Sequence, residues 1–221
     1  MSELSPIEIV QSRLHQDIEK YGDVRLFSKD DMLFAPEEML QKFFFVINGR
    51  IKVSQINMED GKEQTFKILT TGDMYDVVTL LDGKIHENLL HALDDDVKII
   101  CFPIEMARRW MQEDQGFNKI LFPYISKQLR EIEELAMDLS FYDTPRRLLK
   151  LISKNINPSN PSKLHLIHNL PHEELASLIG TVRKVLNRHI QQLKKDGIIN
   201  VKRKNIEIKD TQKLLNSLPK S

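Results

Sequence analysis

The sequence predicts an α+β protein with an N-terminal β-roll, a long helix and a C-terminal winged helix-turn-helix. Three observations support this prediction: short apolar strands separated by turn residues come first, an apolar heptad repeat follows, and two short helices joined at a glycine come last. With 221 residues, the chain is long enough for two compact cores. We predict the roll over residues 1–113, the long helix over residues 114–139 and the C-terminal domain over residues 140–221.

The first hundred residues have the turn spacing of a β-roll or barrel. Residues 43–55 contain two apolar runs split by Asn48-Gly49, and this dipeptide predicts a hairpin. Asp60-Gly61 predicts a second hairpin. Short strands with turn signals at this spacing favour a roll over a parallel sheet.

Helical periodicity precedes the strands over residues 6–21 and follows them from Pro123, a favourable first-turn residue. In the second of these helices, apolar residues recur in four-three-four-three steps and form a coiled-coil seam: Ile125, Leu129, Ile132, Ala136 and Leu139. The seam predicts a parallel homodimer. A helix that lies on the core of its own domain is the alternative.

Short elements are expected after the seam. A helix is predicted over residues 146–154, with Thr144 as its N-cap and Pro145 at its first helical position. Residues 157–162 have the composition of a loop, and residues 165–169 predict a short strand.

Residues 170–199 have the pattern of a helix-turn-helix. Leu175 and Ile179 lie on one face of a first helix, Gly180 is suited to a tight turn, and Ile190 belongs to the apolar face of a second helix. The opposite face of the second helix carries Arg183, Lys184, Asn187 and Arg188. This face predicts base reading, because arginine pairs with guanine and asparagine with adenine in the major groove. An αα-hairpin with a solvated basic face is the alternative.

The charge distribution supports a nucleic-acid partner. The whole chain holds 32 basic and 32 acidic residues, but residues 140–221 hold 16 basic and 6 acidic ones, which leaves 16 basic and 26 acidic ones in residues 1–139. This asymmetry indicates a basic nucleic-acid-binding domain attached to an acidic domain with another task. Three cations at residues 202–204, between two strand-like runs, predict a wing whose tip contacts phosphates. A solvated basic turn is the alternative.

Composition excludes several classes of protein. With 41% hydrophobic and 29% charged residues, and without a secretory signal or an apolar run of roughly 18 residues, we expect a cytoplasmic protein without a membrane partner. A single cysteine, Cys101, excludes an intramolecular disulfide and a four-cysteine metal site, and we expect no metal. The chain lacks a GxxxxGK[ST] phosphate loop, an HExxH zinc site and a GxSxG elbow, so we expect no enzymatic activity.

The order of these parts resembles the bacterial transcription regulators of the cyclic AMP receptor and fumarate–nitrate reductase regulator (CRP/FNR) superfamily. The resemblance covers nearly the whole chain and is most specific in residues 170–199, in residues 43–55 and in the Gly72-Asp73 turn. It implies a cyclic-nucleotide-binding-like jelly roll that receives a small-molecule effector, a homodimer, a double-stranded DNA operator, and RNA polymerase as a partner of an activator. By position, the four polar residues named above fall on base-reading sites, and the sites that contact the DNA backbone correspond to His172, Glu173, Thr181, Lys202, Arg203 and Lys204.

The roll departs from the nucleotide pocket of that family. The corresponding residues here are Gly72, Asp73, Asp76, Val77, Asn88 and Leu89. Asp76-Val77 replaces the expected Gly-Glu pair, no arginine occurs in residues 51–107, and Ile132-Glu133 replaces the hydroxyl pair that reads the base. A phosphodiester without a cationic partner binds poorly, so we expect no physiological cyclic AMP binding and an effector of unknown identity.

Base preference and sensor chemistry are also expected to differ. At the position of Lys184, the family often has an acidic residue. A carboxylate accepts a hydrogen bond from cytosine, whereas an ammonium donates one to guanine, so the preferred half-site should differ from the usual one. The missing cysteines exclude the usual iron–sulfur sensor, and we expect no cofactor. A haem-based regulator that responds to nitric oxide or redox state is one alternative, with candidate axial ligands His15, His86 and His91. A β-roll interaction protein that binds nucleic acid without sequence preference is the other.

Overall fold

The computed structural model describes residues 15–202 and 205–218. These residues group into two compact units: one within Met1–Gln55 and Lys67–Ile132, the other within Ile56–Phe66 and Glu133–Ser221. Mixed helix and strand content and the order of elements confirm the predicted fold class. Within the described residues, none of the helices has the length and apolarity that a membrane span requires.

The β-roll consists of two sheets with the strand orders β1-β7-β2-β5 and β4-β3-β6. Its strands are β1 (Asp23–Phe27), β2 (Lys42–Asn48), β3 (Ile51–Ile56), β4 (Glu63–Leu69), β5 (Met74–Tyr75), β6 (Leu89–Ala92) and β7 (Val97–Pro103). Because successive side chains of a strand face opposite sides, β2 supports two cores. Phe44 and Val46 pack with residues of both sheets, whereas Phe43 and Phe45 pack with helices outside the sheet.

The Asn48-Gly49 turn connects the two sheets rather than closing a hairpin. β2 pairs with β7 and β5, while β3 lies between β4 and β6, so the predicted hairpin over residues 43–55 is wrong. Gly49 has a φ of +82°, and a Cβ there would lie 2.8 Å from a methyl carbon of Val97. The turn therefore requires glycine, as predicted, but it redirects the chain into the other sheet. The second predicted hairpin, between β3 and β4, is confirmed.

The long helix begins ahead of Pro123, the residue from which its apolar periodicity runs. Helices α1 (His15–Tyr21), α2 (Pro36–Met39), α3 (Val77–Asp82) and α4 (Ile104–Glu113) precede α5 (Gln115–Phe141). Periodicity alone would begin the helix at Pro123, but the carboxylate of Asp114 accepts hydrogen bonds from the N–H groups of Gly116 and Phe117 at 2.6 and 3.2 Å and caps the helix there. Pro123 lies inside α5. The first residues of the helix predicted over 6–21 lie outside the described part of the chain.

The second unit contains the elements expected of a winged helix-turn-helix. They are α6 (Thr144–Lys154), β8 (Ile156–Asn157), β9 (Asn160–Leu164), α7 (His172–Leu178), α8 (Arg183–Lys195), β10 (Ile199–Lys202), β11 (Asn205–Ile208) and α9 (Thr211–Asn216). β10 and β11 pair antiparallel, as the wing requires. Arg203 and Lys204, predicted for its tip, lie outside the described residues.

Three local predictions for this unit are wrong. The N-cap of α6 is Asp143 rather than Thr144, because the Asp143 carboxylate accepts from the N–H of Arg146 at 3.1 Å. The loop predicted over residues 157–162 contributes to an antiparallel hairpin, β8–β9. The strand predicted over residues 165–169 is a turn.

The tip of the β3–β4 hairpin, residues 56–66, belongs to the second unit. It contains the last residue of β3, the turn and the first residues of β4. The hydroxyls of Thr65 and Ser177 lie 2.6 Å apart, and both residues are buried. The amide of Gln64 donates to the backbone carbonyl of Ser177 at 3.0 Å. These hydrogen bonds join the tip to α7 inside this unit.

Candidate nucleic-acid interface

The two helices of the predicted helix-turn-helix pack through their apolar faces. Leu175 and Ile179 on one side of the turn, and Leu186 and Ile190 on the other, are buried. Gly180 has a φ of +64°, and a Cβ there would lie 2.8 Å from side chains on two other segments. The tight turn with a residue that lacks Cβ is therefore present where the sequence predicts it.

The outer face of α8 carries the predicted base-reading side chains. Arg183, Lys184 and Arg188 are exposed, and Asn187 is half-buried. Because the opposite face of α8 is buried, these four residues share the side that remains accessible. Arginine, lysine and asparagine can donate hydrogen bonds to the edges of bases in a major groove.

The first turn of α7 contacts two residues of this face. His172 Nδ1 lies 2.5 Å from Asn187 Oδ1, and the guanidinium of Arg183 lies 2.6 Å from the carboxylate of Glu173. The resemblance to the CRP/FNR superfamily implies that His172 and Glu173 contact the DNA backbone, and their pairing with α8 was not predicted. Residues ten or fifteen positions apart carry no periodic signal that would reveal such pairs.

Thr181 at the turn and Lys202 on β10 are two further residues predicted to contact the DNA backbone. Thr181 is half-buried directly after Gly180, and its N–H donates to the carbonyl of Ala176 at 2.9 Å. Lys202 is exposed and lies 3.0 Å from Glu207 of β11. The charge that Lys202 presents is therefore partly balanced before any phosphate approaches.

Two of the predicted effector residues, Asp76 and Asn88, hydrogen-bond to neighbouring residues of the roll. Asp76 is 1% exposed and caps α3: its carboxylate accepts from the N–H of Val78 at 3.0 Å and from the hydroxyl of Thr79 at 2.8 Å. His86 Nδ1 lies 3.1 Å from the same carboxylate, and Asn88 donates to the phenol of Tyr75 at 3.0 Å. Asp76 and Asn88 therefore belong to a hydrogen-bond network within the roll.

The other predicted pocket residues have structural partners or are packed. Asp73 accepts from the N–H of Thr70 at 2.8 Å, and the N–H of Gly72 donates to the carbonyl of Val46 at 2.9 Å. Val77 is buried and Leu89 is half-buried. Gly72-Asp73 therefore forms the tight bend between β4 and β5.

A cation that the sequence argument missed lies between β4 and α5. Lys67 Nζ is 3.6 Å from Glu131 and 3.9 Å from Asp73, it hydrogen-bonds Gln128, and it lies 5.2 Å from the ring centre of Tyr124. Burial lowers the pKa of Lys67, and the two carboxylates act in the opposite direction. The sequence does not reveal this role of Lys67, because strand alternation alone does not show what a β4 side chain faces.

Most of the predicted seam is exposed in a single chain. Leu129 and Ile132 are 58% and 59% exposed, and Ala136 and Leu139 are also exposed. Ile125 instead packs partly against the core of the roll. Phe122, one heptad before Leu129, extends the exposed apolar row at 55%.

The histidines considered as haem ligands have different surroundings. His86 pairs with Asp76, and His91 lies on β6 with its Nδ1 buried and without a hydrogen-bond partner among the described residues. The side chain of His15 lies outside the described residues. In the part of the chain that the structure covers, three or more histidine, cysteine or carboxylate side chains do not gather into a metal site.

Two family models match the chain at the places where these elements lie. Residues 24–114 match the cyclic nucleotide-binding domain, and residues 146–217 match the Crp-like helix-turn-helix domain. The chain belongs to the CRP/FNR family of transcription regulators. The predicted family and the DNA-binding function of its C-terminal domain are thereby confirmed.

The regulator is similar to curated proteins of different physiology. It is 22% identical to the "Global nitrogen regulator" of Synechocystis sp., over 84% of each chain. It is also 22% identical to the "CRP-like cAMP-activated global transcriptional regulator" of Mycobacterium tuberculosis, over 85% of this chain and 84% of that one. Among solved structures, a CooA mutant from Carboxydothermus hydrogenoformans has the same fold, with a TM-score of 0.78, 24% identity and coverage of 98% and 96%.

Proposed function

We propose that this regulator binds a double-stranded DNA operator as a homodimer and places the first turns of α8 in the major groove of each half-site. One observation carries the proposal: α8 buries its apolar face and leaves Arg183, Lys184 and Arg188 exposed together. The net positive charge of residues 140–221 adds the phosphate attraction that dominates affinity for DNA.

Selection from random duplexes, followed by footprinting, tests operator binding. We expect enrichment of two half-sites with centres about 34–36 Å apart, one helical turn of DNA. Specific binding should exceed binding to scrambled duplex by at least about a thousandfold at the same salt concentration. Binding without enrichment would favour the alternative of a β-roll protein that binds nucleic acid without sequence preference.

The exposed seam supports a second copy of the chain as the partner of α5. Apolar side chains at heptad spacing are typical of parallel coiled coils, and burying them removes their surface from water. We expect a dimer in sedimentation experiments and a monomer for the double variant Leu129→Asp, Ile132→Asp. Arg130→Ala, an exposed change between the two positions, is the control and should remain dimeric. A dimeric double variant would contradict the seam.

A small-molecule effector binds the roll, and its binding shifts the populations of two domain arrangements through α5. The effector is not cyclic AMP, because Asp76 is committed to capping α3 and Lys67 already lies beside two carboxylates. The protein acts in the cytoplasm, without a resident cofactor or catalytic activity. As an activator it would also contact RNA polymerase.

A haem-based sensor is the second candidate, and the His86–Asp76 pair favours it. A carboxylate at Nδ1 orients an imidazole so that Nε2 can bind iron, and bound haem would supply the site for a diatomic gas. Titration with haem should then give a Soret band that His86→Ala removes. The cofactor-free proposal expects no such band.

A further inference from the structure

The first turn of α7 holds two residues of the reading face by separate pairs. His172 Nδ1 lies 2.5 Å from Asn187 Oδ1, and Glu173 lies 2.6 Å from the guanidinium of Arg183. Arg183 and Asn187 are four residues apart, so they lie one above the other on the same face of α8. Two consecutive residues of α7 therefore pair with two stacked residues of α8.

The two pairs differ in what they leave for DNA. Arg183 is exposed, and a guanidinium has five donors, so one contact with Glu173 leaves others for a base. Asn187 is half-buried, and its carbonyl oxygen accepts from the N–H at His172 Nδ1. The amide of Asn187 thus keeps its Nδ2–H₂ group for the groove, while its acceptor side faces α7.

Reading adenine with asparagine requires both ends of the amide. Nδ2 donates to adenine N7 while Oδ1 accepts from the adenine N6 amino group. An asparagine whose Oδ1 is held toward α7 does not direct this oxygen to the adenine amino group, so it loses the second contact and acts as a donor. A donor suits guanine, which presents two acceptors, N7 and O6, on its major-groove edge.

We propose that His172 is a positioning residue that sets the base preference of Asn187, by holding Oδ1 so that Nδ2 alone reads the groove. The inference rests on the proposed insertion of α8 into the major groove. His172 thereby determines specificity without touching the base. The wild-type protein selects guanine over adenine at the position that Asn187 faces.

Selection from random duplexes with the wild type and four variants tests this role. Asn187→Ala identifies the base position, because its preference disappears only there. We expect His172→Ala to free Oδ1 and shift that position from guanine to adenine by roughly 5- to 150-fold, the discrimination of one bidentate pair. His172→Gln keeps an N–H donor near Oδ1 and should retain guanine.

A lost phosphate contact at His172 would weaken all sequences alike, so it cannot change the selected base. Lys195→Ala is the control for charge loss, since this exposed lysine lies at the far end of α8. It should weaken binding while the selected sequence stays the same. Adenine in the wild-type selection, or an unchanged sequence for His172→Ala, would overturn the inference and leave operator binding intact. Absence of any enriched sequence for the wild type would instead refute the proposed function.

Discussion

The hydrogen bond between Thr65 and Ser177 should contribute measurably to the local stability of the helix-turn-helix. It joins the hairpin tip to α7, its two oxygens are 2.6 Å apart, and the residues are 1% and 5% exposed. Ser177→Ala removes one hydroxyl and leaves the other buried beside a methyl group. Water cannot replace the lost partner at so low an exposure.

The expected magnitude follows from this burial. An unsatisfied buried hydroxyl costs about 1–3 kcal/mol, whereas removing both partners is nearly neutral. Ser177→Ala and Thr65→Val should each lower the free energy of opening by about 1–3 kcal/mol. The double variant should lose less than the sum, which gives a coupling energy of about 0.5–3 kcal/mol.

Hydrogen exchange of α7 amides, followed by mass spectrometry, measures this free energy of opening locally. A local readout is required because two compact units need not unfold in one transition. Ser159→Ala, at an exposed serine of the same unit, is the matched control and should change the free energy by less than about 0.5 kcal/mol. If the double variant loses the sum of the two single-variant losses of free energy, to within about 0.5 kcal/mol, the two hydroxyls are not coupled and the reasoning is refuted.

The remaining predictions concern base preference, the effector and acid stability. Lys184→Glu should select cytosine where the wild type selects guanine while the fold is kept, and identical selected sequences would contradict this. Calorimetry should show no micromolar affinity for cyclic AMP, since Asp76 caps α3; a measured micromolar Kd would overturn that expectation. Burial is the main cause that lowers the pKa of His189, and the positive charge of Arg188 lowers it further. The unfolded chain therefore takes up a proton before the folded one as the pH falls through about 6.5, so stability should fall there. His189→Gln should reduce this loss in urea unfolding, and an equal loss in both proteins would exclude His189.

Local patterns predicted the elements whose structure depends on near neighbours. The spacing of Leu175, Ile179 and Ile190 around Gly180 located both helices of the helix-turn-helix, because helical periodicity and a positive φ are properties of a few consecutive residues. The long helix that carries the predicted seam followed from the same periodicity. These features need no knowledge of distant contacts.

Features that depend on distant partners could not be predicted in this way. The turn at Gly49 was identified, but whether its flanking strands pair depends on β7, some fifty residues away. Pro123 looked like a helix start because the stronger signal, the Asp114 cap, lay ahead of the heptads. The cluster around Lys67 and the contact of His172 with α8 require the tertiary fold.

The central claim is that the first turns of α8 distinguish one base pair from another. The most direct measurement compares the ratio of affinities for the selected operator and a scrambled duplex in two double variants at fixed salt. One double variant combines Arg183→Ala with Arg188→Ala, and the other combines Lys194→Ala with Lys195→Ala. Each removes two exposed cations from the same helix. We expect the arginine variant to lose most of its discrimination, and the lysine variant to keep its ratio while binding both duplexes more weakly. An arginine variant that still prefers its operator as strongly as the wild type would contradict the claim.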